Sequence, residues 1–207
     1  MKKGKTALAL IALGANLPFD GHAPEATLRN AKRAIVAEGL VIQSFSKLFE
    51  TPCFPAGAGP DYVNAAAVIE FPAELDAGSL LACLHRIETR FGRERLQRWG
   101  MRTLDIDLLA LGDSVLPDAE TQDRWRHLSP EAQARETPAA LILPHPRLQD
   151  RAFVLVPLAD VAPDWVHPRL GKTVRQMLAD LPPLERQAVK PLGNRPNSAL
   201  VKPGSSA

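Results

Sequence analysis

The order of apolar runs and helical stripes constrains the fold of this chain more than any other feature of its 207 residues. Two segments have the apolar spacing of helices, and four have the apolar or β-branched composition of strands. In chain order they are a strand at 7–13, a helix at 24–38, strands at 40–49 and 63–71, a helix at 74–91 and a strand at 103–111. This order predicts an α+β fold with a ferredoxin-like β-α-β-β-α-β core, in which helices flank a mainly antiparallel sheet.

The segments outside this core are more polar. Residues 113–139 indicate an inserted loop or helix that is longer than an ordinary connection. Short helices are predicted at 152–159 and 172–181. We therefore predict one domain over residues 6–182, followed by a disordered tail over residues 191–207, where Pro, Gly, Asn and Ser predominate.

Composition narrows the class of protein. The 25 Lys and Arg residues nearly balance 23 Asp and Glu residues, so the net charge of +2 does not favour a nucleic-acid partner. Two cysteines are too few for a disulfide framework. Three lysines before the apolar run 7–13 resemble a short signal peptide, but the run is short and continues like a strand, and no stretch approaches the roughly 18 apolar residues of a membrane span. We expect a cytoplasmic monomer without a membrane partner.

Two carboxylates interrupt the apolar strand predicted at 103–111. Asp105 and Asp107 stand two positions apart, so on a strand their side chains share one face, roughly 6–7 Å from each other. Such a pair repels and resists desolvation unless a cation lies between them. Mg²⁺ prefers oxygen ligands and is held by one or two carboxylates together with phosphates. The pattern predicts a magnesium site, and the alternative is a solvated face of an edge strand.

An arginine-rich segment precedes this strand. Arg93, Arg95, Arg98 and Arg102 lie beside Trp99 and within ten residues of one another. A run of cations is often only a solvated loop, but here it adjoins a candidate metal site. Guanidinium groups next to a divalent cation form the arrangement that binds polyphosphate. We expect residues 93–102 to form a mobile loop that closes over ATP.

These motifs resemble the signature of the 6-hydroxymethyl-7,8-dihydropterin pyrophosphokinase family. The matching residues around the two motifs are Glu88, Gly92-Arg93, Arg95, Arg98-Trp99-Gly100 and Arg102-Thr-Leu-Asp105-Ile-Asp107. Further blocks follow in the same order: Ile11-Ala-Leu-Gly14-Ala-Asn-Leu17, Phe49-Glu50-Thr51-Pro52, Asp61-Tyr62-Val-Asn64, Pro144-His145 and Arg151-Ala-Phe153-Val-Leu-Val-Pro157. The resemblance covers about residues 7–170 apart from the polar insert.

The resemblance implies an ATP-dependent diphosphokinase that moves pyrophosphate from ATP to 6-hydroxymethyl-7,8-dihydropterin in folate biosynthesis. It implies that Asp105 and Asp107 bind two Mg²⁺ ions and act in catalysis together with Arg93 and Arg102. The implied ATP-binding residues are Glu88, Arg93, Arg95, Trp99, Arg102, His145 and Arg151. The implied pterin-binding residues are Thr51, Pro52, Cys53, Tyr62, Asn64 and Phe153.

Other interpretations stay open from the sequence. Taken alone, Asn64 fits a residue that caps a turn, and Phe153 fits a core residue. A different metal-dependent nucleotidyl or phosphoryl transferase would use the same pair of aspartates, and would not require the pterin. A ferredoxin-like regulatory or RNA-binding module would not require them at all, although an RNA-binding sheet carries an aromatic-rich strand motif that this chain lacks.

Overall fold

An antiparallel sheet forms the centre of the computed structural model, which describes residues 6–53, 57, 59–92 and 102–193. The strands in these ranges are β1 (Thr6–Ala15), β2 (Val41–Phe45), β3 (Phe49–Thr51), β4 (Tyr62–Pro72), β5 (Asp105–Leu111) and β6 (Lys190–Pro191). The helices are α1 (Pro24–Ala37), α2 (Ala77–Arg90), α3 (Ala119–His127), α4 (Pro130–Arg135), α5 (Ala152–Val161), α6 (Val174–Asp180) and α7 (Pro183–Ala188).

The strand order confirms the predicted fold class. The sheet runs β5-β1-β4-β3-β6, and β2 also pairs with β4. Each of these pairings is antiparallel. With α1 after β1 and α2 after β4, this is the predicted ferredoxin-like core. It puts β1 between β4 and β5, with β5 at one edge.

The two faces of the sheet are covered by different helices. On one face, α1 and α2 bury their apolar stripes, which include Leu28, Ile35, Leu84 and Ile87, each fully buried. Full burial of one such side chain contributes about 1.5–3 kcal/mol relative to exposure. On the opposite face, α5 and α6 pack their apolar side chains on residues of β1, β4 and β5. The sheet is therefore buried on both sides, with α5 above the face opposite α1 and α2.

A β-bulge in β5 determines which face of the sheet the residues on each side of it occupy. Leu10 of β1 pairs with Ala110, whereas the next residue, Ile11, pairs with Leu108, so Leu109 is the extra residue of β5. Ile106 and Leu108 lie in the core against α1 and α2, whereas Leu109 packs on the α5 side. Strand alternation therefore puts the aspartates at 105 and 107 on the face that α5 covers.

The predicted strand at 40–49 is wrong in its continuity, because the structure divides it into β2 and β3. Ser46 lies between them, where its backbone N–H donates to the Ala66 carbonyl at 2.9 Å and its hydroxyl makes further contacts. Its hydroxyl accepts a hydrogen bond from the Ala66 backbone N–H at 2.9 Å and donates one to the Lys47 carbonyl at 2.7 Å. The buried hydroxyl thus binds one backbone group of β4 and one in the connection between β2 and β3. The contact with β4 is a long-range effect that β propensity does not reveal.

Outside the core the polar insert is helical, since it contains α3 and α4. The predicted helix at 172–181 begins at Val174, after a capping box in which the Thr173 hydroxyl and the Gln176 side chain each bind the other's backbone. The predicted tail starts too early, because Lys190 and Pro191 form β6 against β3. Residues 194–207 of that tail lie outside the described residues. No helix within the described ranges is long and apolar enough to cross a membrane.

Candidate active site

The aspartate pair lies half-buried at the N-terminal end of β5. Asp105 is opposite Gly14 of β1, and Asp107 is opposite Ala12. The Arg102 Nη1 atom forms an ion pair with Asp105 Oδ2. A protein cation therefore already neutralises one carboxylate, and the predicted magnesium site stays a prediction. Across the part of the chain that is described, no three His, Cys, Asp or Glu side chains are placed to hold a metal ion together.

Asn16 fixes the backbone of Arg102. Its side-chain oxygen Oδ1 accepts a hydrogen bond from Arg102 N at 2.9 Å, and its own N–H donates to the Arg102 carbonyl at 3.0 Å. The Nδ2 atom of Asn16 donates to the Pro60 carbonyl at 3.2 Å. This buried amide thus joins the segment that leads into β5 to the segment that leads into β4. Sequence analysis placed Asn16 in a matching block but assigned it no role.

Arg151 approaches the aspartates from the other layer, since it is the N-cap residue of α5. Burial lowers the pKa of its guanidinium group, while the carboxylates of Asp107 and Asp105 oppose that shift. The Arg151 guanidinium carbon lies 5.6 Å from the centre of the Phe153 ring, within the range of a cation–π contact. Phe153 is 37% exposed, so its ring is available to a ligand as well.

His145 lies next to the same cluster. Its backbone N–H donates to the Leu109 carbonyl at 2.8 Å, at the bulge of β5. Its ring atom Nδ1 accepts a hydrogen bond from Arg147 N at 3.1 Å. Burial, followed by the charges of Arg151 and Arg147, lowers the pKa of His145 to about 3. The ring is therefore neutral near pH 7 with its proton on Nε2, which makes it a hydrogen-bond donor.

Glu88 of α2 is 1% exposed, and its Oε1 atom accepts a hydrogen bond from the Ile106 backbone N–H at 2.7 Å. The carboxylate thus anchors β5 between the two aspartates, from the opposite face of the sheet. Direct contact between Glu88 and a nucleotide stays a prediction. The described role of Glu88 is to hold the strand that carries Asp105 and Asp107.

The residues predicted to bind the pterin gather on β3 and β4. Thr51 pairs with Tyr62, and the Asn64 Nδ2 atom donates to Thr51 Oγ1 at 3.0 Å. Asn64 is buried opposite Gly14, where a Cβ atom on the glycine would lie 3.0 Å from Asn64 Oδ1. Because Gly14 has no side chain, the Asn64 amide fits against β1 at this position. Gly14 is also the residue opposite Asp105 on the other side of β1.

Tyr62 connects this group of residues to the aspartate cluster. Burial raises the pKa of its hydroxyl, with Cys53 and Asp105 acting in the same direction and Arg102 against them. The backbone N–H of Cys53 donates to Asp61 Oδ1 at 3.1 Å, which fixes the turn after β3. Pro52, between Thr51 and Cys53, is exposed. The predicted pterin residues and the predicted metal residues thus lie within electrostatic range of each other.

Thr51→Val should weaken pterin binding because valine matches the shape of threonine but leaves the buried Asn64 amide without its acceptor. The Asn64 amide then loses the contact that orients it for a ligand, and a misoriented hydrogen-bonding group forfeits about 1–3 kcal/mol. We therefore expect roughly a tenfold or larger rise in the dissociation constant of the pterin with little change for ATP. Thr51→Ser keeps the hydroxyl and should retain most of the affinity. Fluorescence titration with the pterin measures both variants. Equal affinities of Thr51→Val and the wild type would contradict this role.

Three of the predicted site residues, Arg93, Arg95 and Trp99, lie outside the described residues, as does the predicted mobile loop up to position 101. Their roles stay predictions. One cation that sequence analysis missed is Arg147, whose charge acts on both His145 and Arg151. Its spacing from those two residues in the sequence was the available signal.

A second buried histidine, His167, lies on the segment between α5 and α6. Its Nδ1 atom accepts hydrogen bonds from Arg169 N at 3.1 Å and Leu170 N at 3.3 Å. Burial, and then the charge of Arg126, lowers the pKa of His167 to about 4. The ring is completely buried, so it is best explained as a structural residue that organises this turn.

The two histidines predict that acid destabilises the fold. Below a pH of about 6.5 they bind protons in the unfolded chain, whereas in the folded chain they stay neutral down to a pH of about 4 for His167 and about 3 for His145. Protonation then favours the unfolded state. The free energy of unfolding should therefore decrease as the pH is lowered, by up to about 1.4 kcal/mol per pH unit for each histidine. Urea denaturation at pH 7, 6 and 5 measures this. His167→Asn keeps an acceptor and should flatten the dependence, and an unchanged slope would refute the assignment.

Comparison with known proteins identifies the family of the chain. The family model described as 7,8-dihydro-6-hydroxymethylpterin-pyrophosphokinase (HPPK) matches residues 10–163. Among similar proteins, three bacterial ones are named 2-amino-4-hydroxy-6-hydroxymethyldihydropteridine pyrophosphokinase. The protein of Synechocystis sp. is 39% identical over 148 residues, which are 72% of this chain and 64% of that protein. The Haemophilus influenzae protein is 36% identical, with 77% and 84% of the two chains covered, and the Methylorubrum extorquens protein is 34% identical, with 84% and 94% covered.

Solved structures show the same fold. The wild-type HPPK-DHPS of Plasmodium falciparum superposes with a TM-score of 0.58 at 16% identity, over 86% of this chain and 45% of that chain. This chain therefore spans less than half of the Plasmodium protein. The family model's match, residues 10–163, includes most of β1, the strands β2 to β5, and α5. It also includes Asp105, Asp107, Arg102, His145 and Arg151. The family resemblance in the sequence is thus confirmed, and the chain belongs to the HPPK family of folate-pathway pyrophosphokinases.

Proposed function

We propose that this chain transfers the pyrophosphoryl group of ATP to the hydroxymethyl group of 6-hydroxymethyl-7,8-dihydropterin, yielding the pterin diphosphate and AMP. The observation that carries the proposal is the convergence, in a member of this family, of the Asp105 and Asp107 carboxylates with Arg102, His145 and Arg151 at one end of the sheet. The polar pair of Asn64 and Thr51 lies on the adjacent strands.

The carboxylates of Asp105 and Asp107 suit a magnesium site. They are half-buried, they lie on one strand face, and both act on the charge of Arg151. Two carboxylates leave most ligand positions for water and phosphate oxygens, which is how Mg²⁺ is usually bound with nucleotides. We propose that they hold two Mg²⁺ ions, which supply charge neutralisation on the phosphates and a lowered pKa of the pterin hydroxyl.

The surrounding cations and the histidine suit ATP. Arg102 and Arg151 offer guanidinium groups next to the carboxylates, where phosphate oxygens would replace the ion pair that Arg102 makes with Asp105. The neutral ring of His145 offers an Nε2–H donor, which requires no change of protonation. We propose that Arg93, Arg95, Trp99 and Glu88 complete the nucleotide site, as the family resemblance implies.

The β3–β4 side suits a flat heterocycle with a donor and acceptor edge. Asn64 and Thr51 supply hydrogen-bonding groups, while Phe153 and Tyr62 supply aromatic faces. We propose that Pro52 and Cys53 form the wall after β3. In this arrangement the pterin hydroxyl lies near the aspartates, since Tyr62 is already within the electrostatic range of Asp105.

In the proposed reaction the hydroxyl oxygen attacks the β-phosphorus, the bond from that phosphorus to the oxygen bridging it to the α-phosphorus breaks, and AMP leaves. The chain's own contribution is positioning and charge stabilisation. His145 is a poor proton acceptor because its pKa is about 3. Its role is therefore to bind the nucleotide, and the hydroxyl proton passes to solvent or phosphate.

Incubation with ATP, Mg²⁺ and 6-hydroxymethyl-7,8-dihydropterin, followed by chromatography of the products, tests the function. We expect AMP and the pterin diphosphate in equal amounts and no AMP without the pterin. AMP formation that ignores the pterin would favour a different nucleotidyl or phosphoryl transferase. We further propose that the enzyme is a monomer and acts in the cytoplasm. Size-exclusion chromatography of the same preparation tests the oligomeric state.

A further inference from the structure

The polar insert at 113–139 places a completely buried polar side chain, that of Gln122, against the segment that leads into His145 of the proposed nucleotide site. Gln122 of α3 is 0% exposed, and its Nε2 atom donates to the Pro144 carbonyl at 3.1 Å. The insert also approaches this segment through its backbone, because Leu116 and Leu143 exchange hydrogen bonds of 2.8 and 3.1 Å. The insert therefore supports the residues that lead directly into His145.

The peptide bond between Pro144 and His145 is held at both of its polar atoms. Its carbonyl accepts from Gln122, and its N–H donates to Leu109 at 2.8 Å. A peptide unit is planar, so fixing both ends fixes the direction in which the His145 side chain leaves the backbone. The hydrogen bond from Arg147 N to Nδ1 then fixes the ring, so the Nε2–H group also keeps one direction, in which it can donate to a ligand.

The same helix is attached elsewhere by an independent contact. Asp123 forms an ion pair with Arg126 at 2.9 Å and accepts hydrogen bonds from Arg169 at 3.2 and 2.5 Å. This cluster joins α3 to the segment after α5, and it does not involve Pro144. Two neighbouring residues of α3 therefore have different roles. Asp123 attaches the insert to the rest of the protein, whereas Gln122 supports the peptide bond before His145.

We propose that Gln122 is a positioning residue of the nucleotide site, which acts through the Pro144 carbonyl to aim the His145 ring at ATP. The inference rests on the proposed function, because it takes His145 as a nucleotide contact. It assigns a role to the insert: the Gln122 amide of α3 holds the Pro144 carbonyl, which faces the protein interior, and so supports His145.

Gln122→Met tests this, because methionine has a similar length and lacks the donor. Calorimetry with Mg²⁺ and a non-hydrolysable ATP analogue should show about a tenfold loss of affinity, with unchanged affinity for the pterin. Asp123→Asn is the matched control on the same helix. It should lower the melting temperature and leave nucleotide affinity unchanged. In a His145→Ala background, Gln122→Met should cause no further loss.

The readouts separate the inference from the function. If the wild type makes no pterin-dependent AMP, the proposed function fails. If it does, and Gln122→Met binds the analogue like the wild type or weakens the analogue and the pterin equally, only the positioning role fails. An additive loss in the His145→Ala background would also overturn it. Should Gln122→Met not fold, Gln122→Ala, which also lacks the donor and adds no bulk, must show the same selective loss.

Discussion

Replacement of Asp107 by asparagine is expected to lower turnover by about a thousandfold, equivalent to about 4 kcal/mol of transition-state stabilisation. Asparagine keeps the shape of the side chain but removes the charge that the proposed metal ions and Arg151 share. Asp105→Asn should have an effect of similar size and should also free Arg102 from its ion pair. Both variants should fold, because removing charge from a half-buried carboxylate does not disturb the core of β5.

The control for this prediction is Asp113→Asn, an exposed carboxylate two residues beyond the end of the same strand. It changes the net charge of the chain by the same amount and should leave turnover unchanged. Pterin-dependent AMP formation measures all three variants, with circular dichroism to compare their folds. A well-folded Asp107→Asn enzyme with more than a tenth of wild-type turnover would remove the metal assignment.

The parts of the site that sequence could predict are those that depend on local spacing. Asp105 and Asp107 share a face because strand side chains alternate, and the structure confirms this placement on β5. The order of the core elements followed from apolar periodicity in the same way. In each case neighbouring residues determine the outcome, so no knowledge of the tertiary structure was needed.

The parts that sequence missed depend on contacts between distant residues. Glu88 binds the backbone of Ile106 across the sheet, 18 positions away, and Asn16 binds the backbone of Arg102 over 86 positions. Gln122 reaches the Pro144 carbonyl over 22 positions. Each is a polar side chain that satisfies a backbone group once the fold has formed. Composition and periodicity contain no signal for such pairs.

The ion pair between Arg102 and Asp105 gives the free enzyme a different charge arrangement from the one that the sequence suggests. The guanidinium group occupies one carboxylate oxygen before any ligand arrives. Binding of Mg²⁺ and ATP would therefore exchange this contact for metal–carboxylate and guanidinium–phosphate contacts. Such an exchange costs part of the binding energy in the ground state, whereas charge on the moving pyrophosphoryl group strengthens the new guanidinium contact in the transition state.

Arg102→Ala is consequently expected to lower turnover by about a hundredfold or more while the affinity for magnesium-bound ATP changes by less than about threefold. Loss of the guanidinium group removes a phosphate contact and, at the same time, a competitor for Asp105, so the two effects offset each other in binding but not in catalysis. Arg102→Lys keeps the charge without the planar fork and should recover only part of the turnover.

The control is Arg86→Ala, which also removes an arginine paired with a carboxylate, here Glu38 at 3.2 Å, on the helical face away from the aspartates. It should leave both turnover and nucleotide affinity unchanged. Single-turnover kinetics and calorimetry separate the two quantities for Arg102→Ala. If this variant binds ATP a hundredfold more weakly and turns over normally at saturation, Arg102 contributes uniform binding, and the transition-state role is wrong.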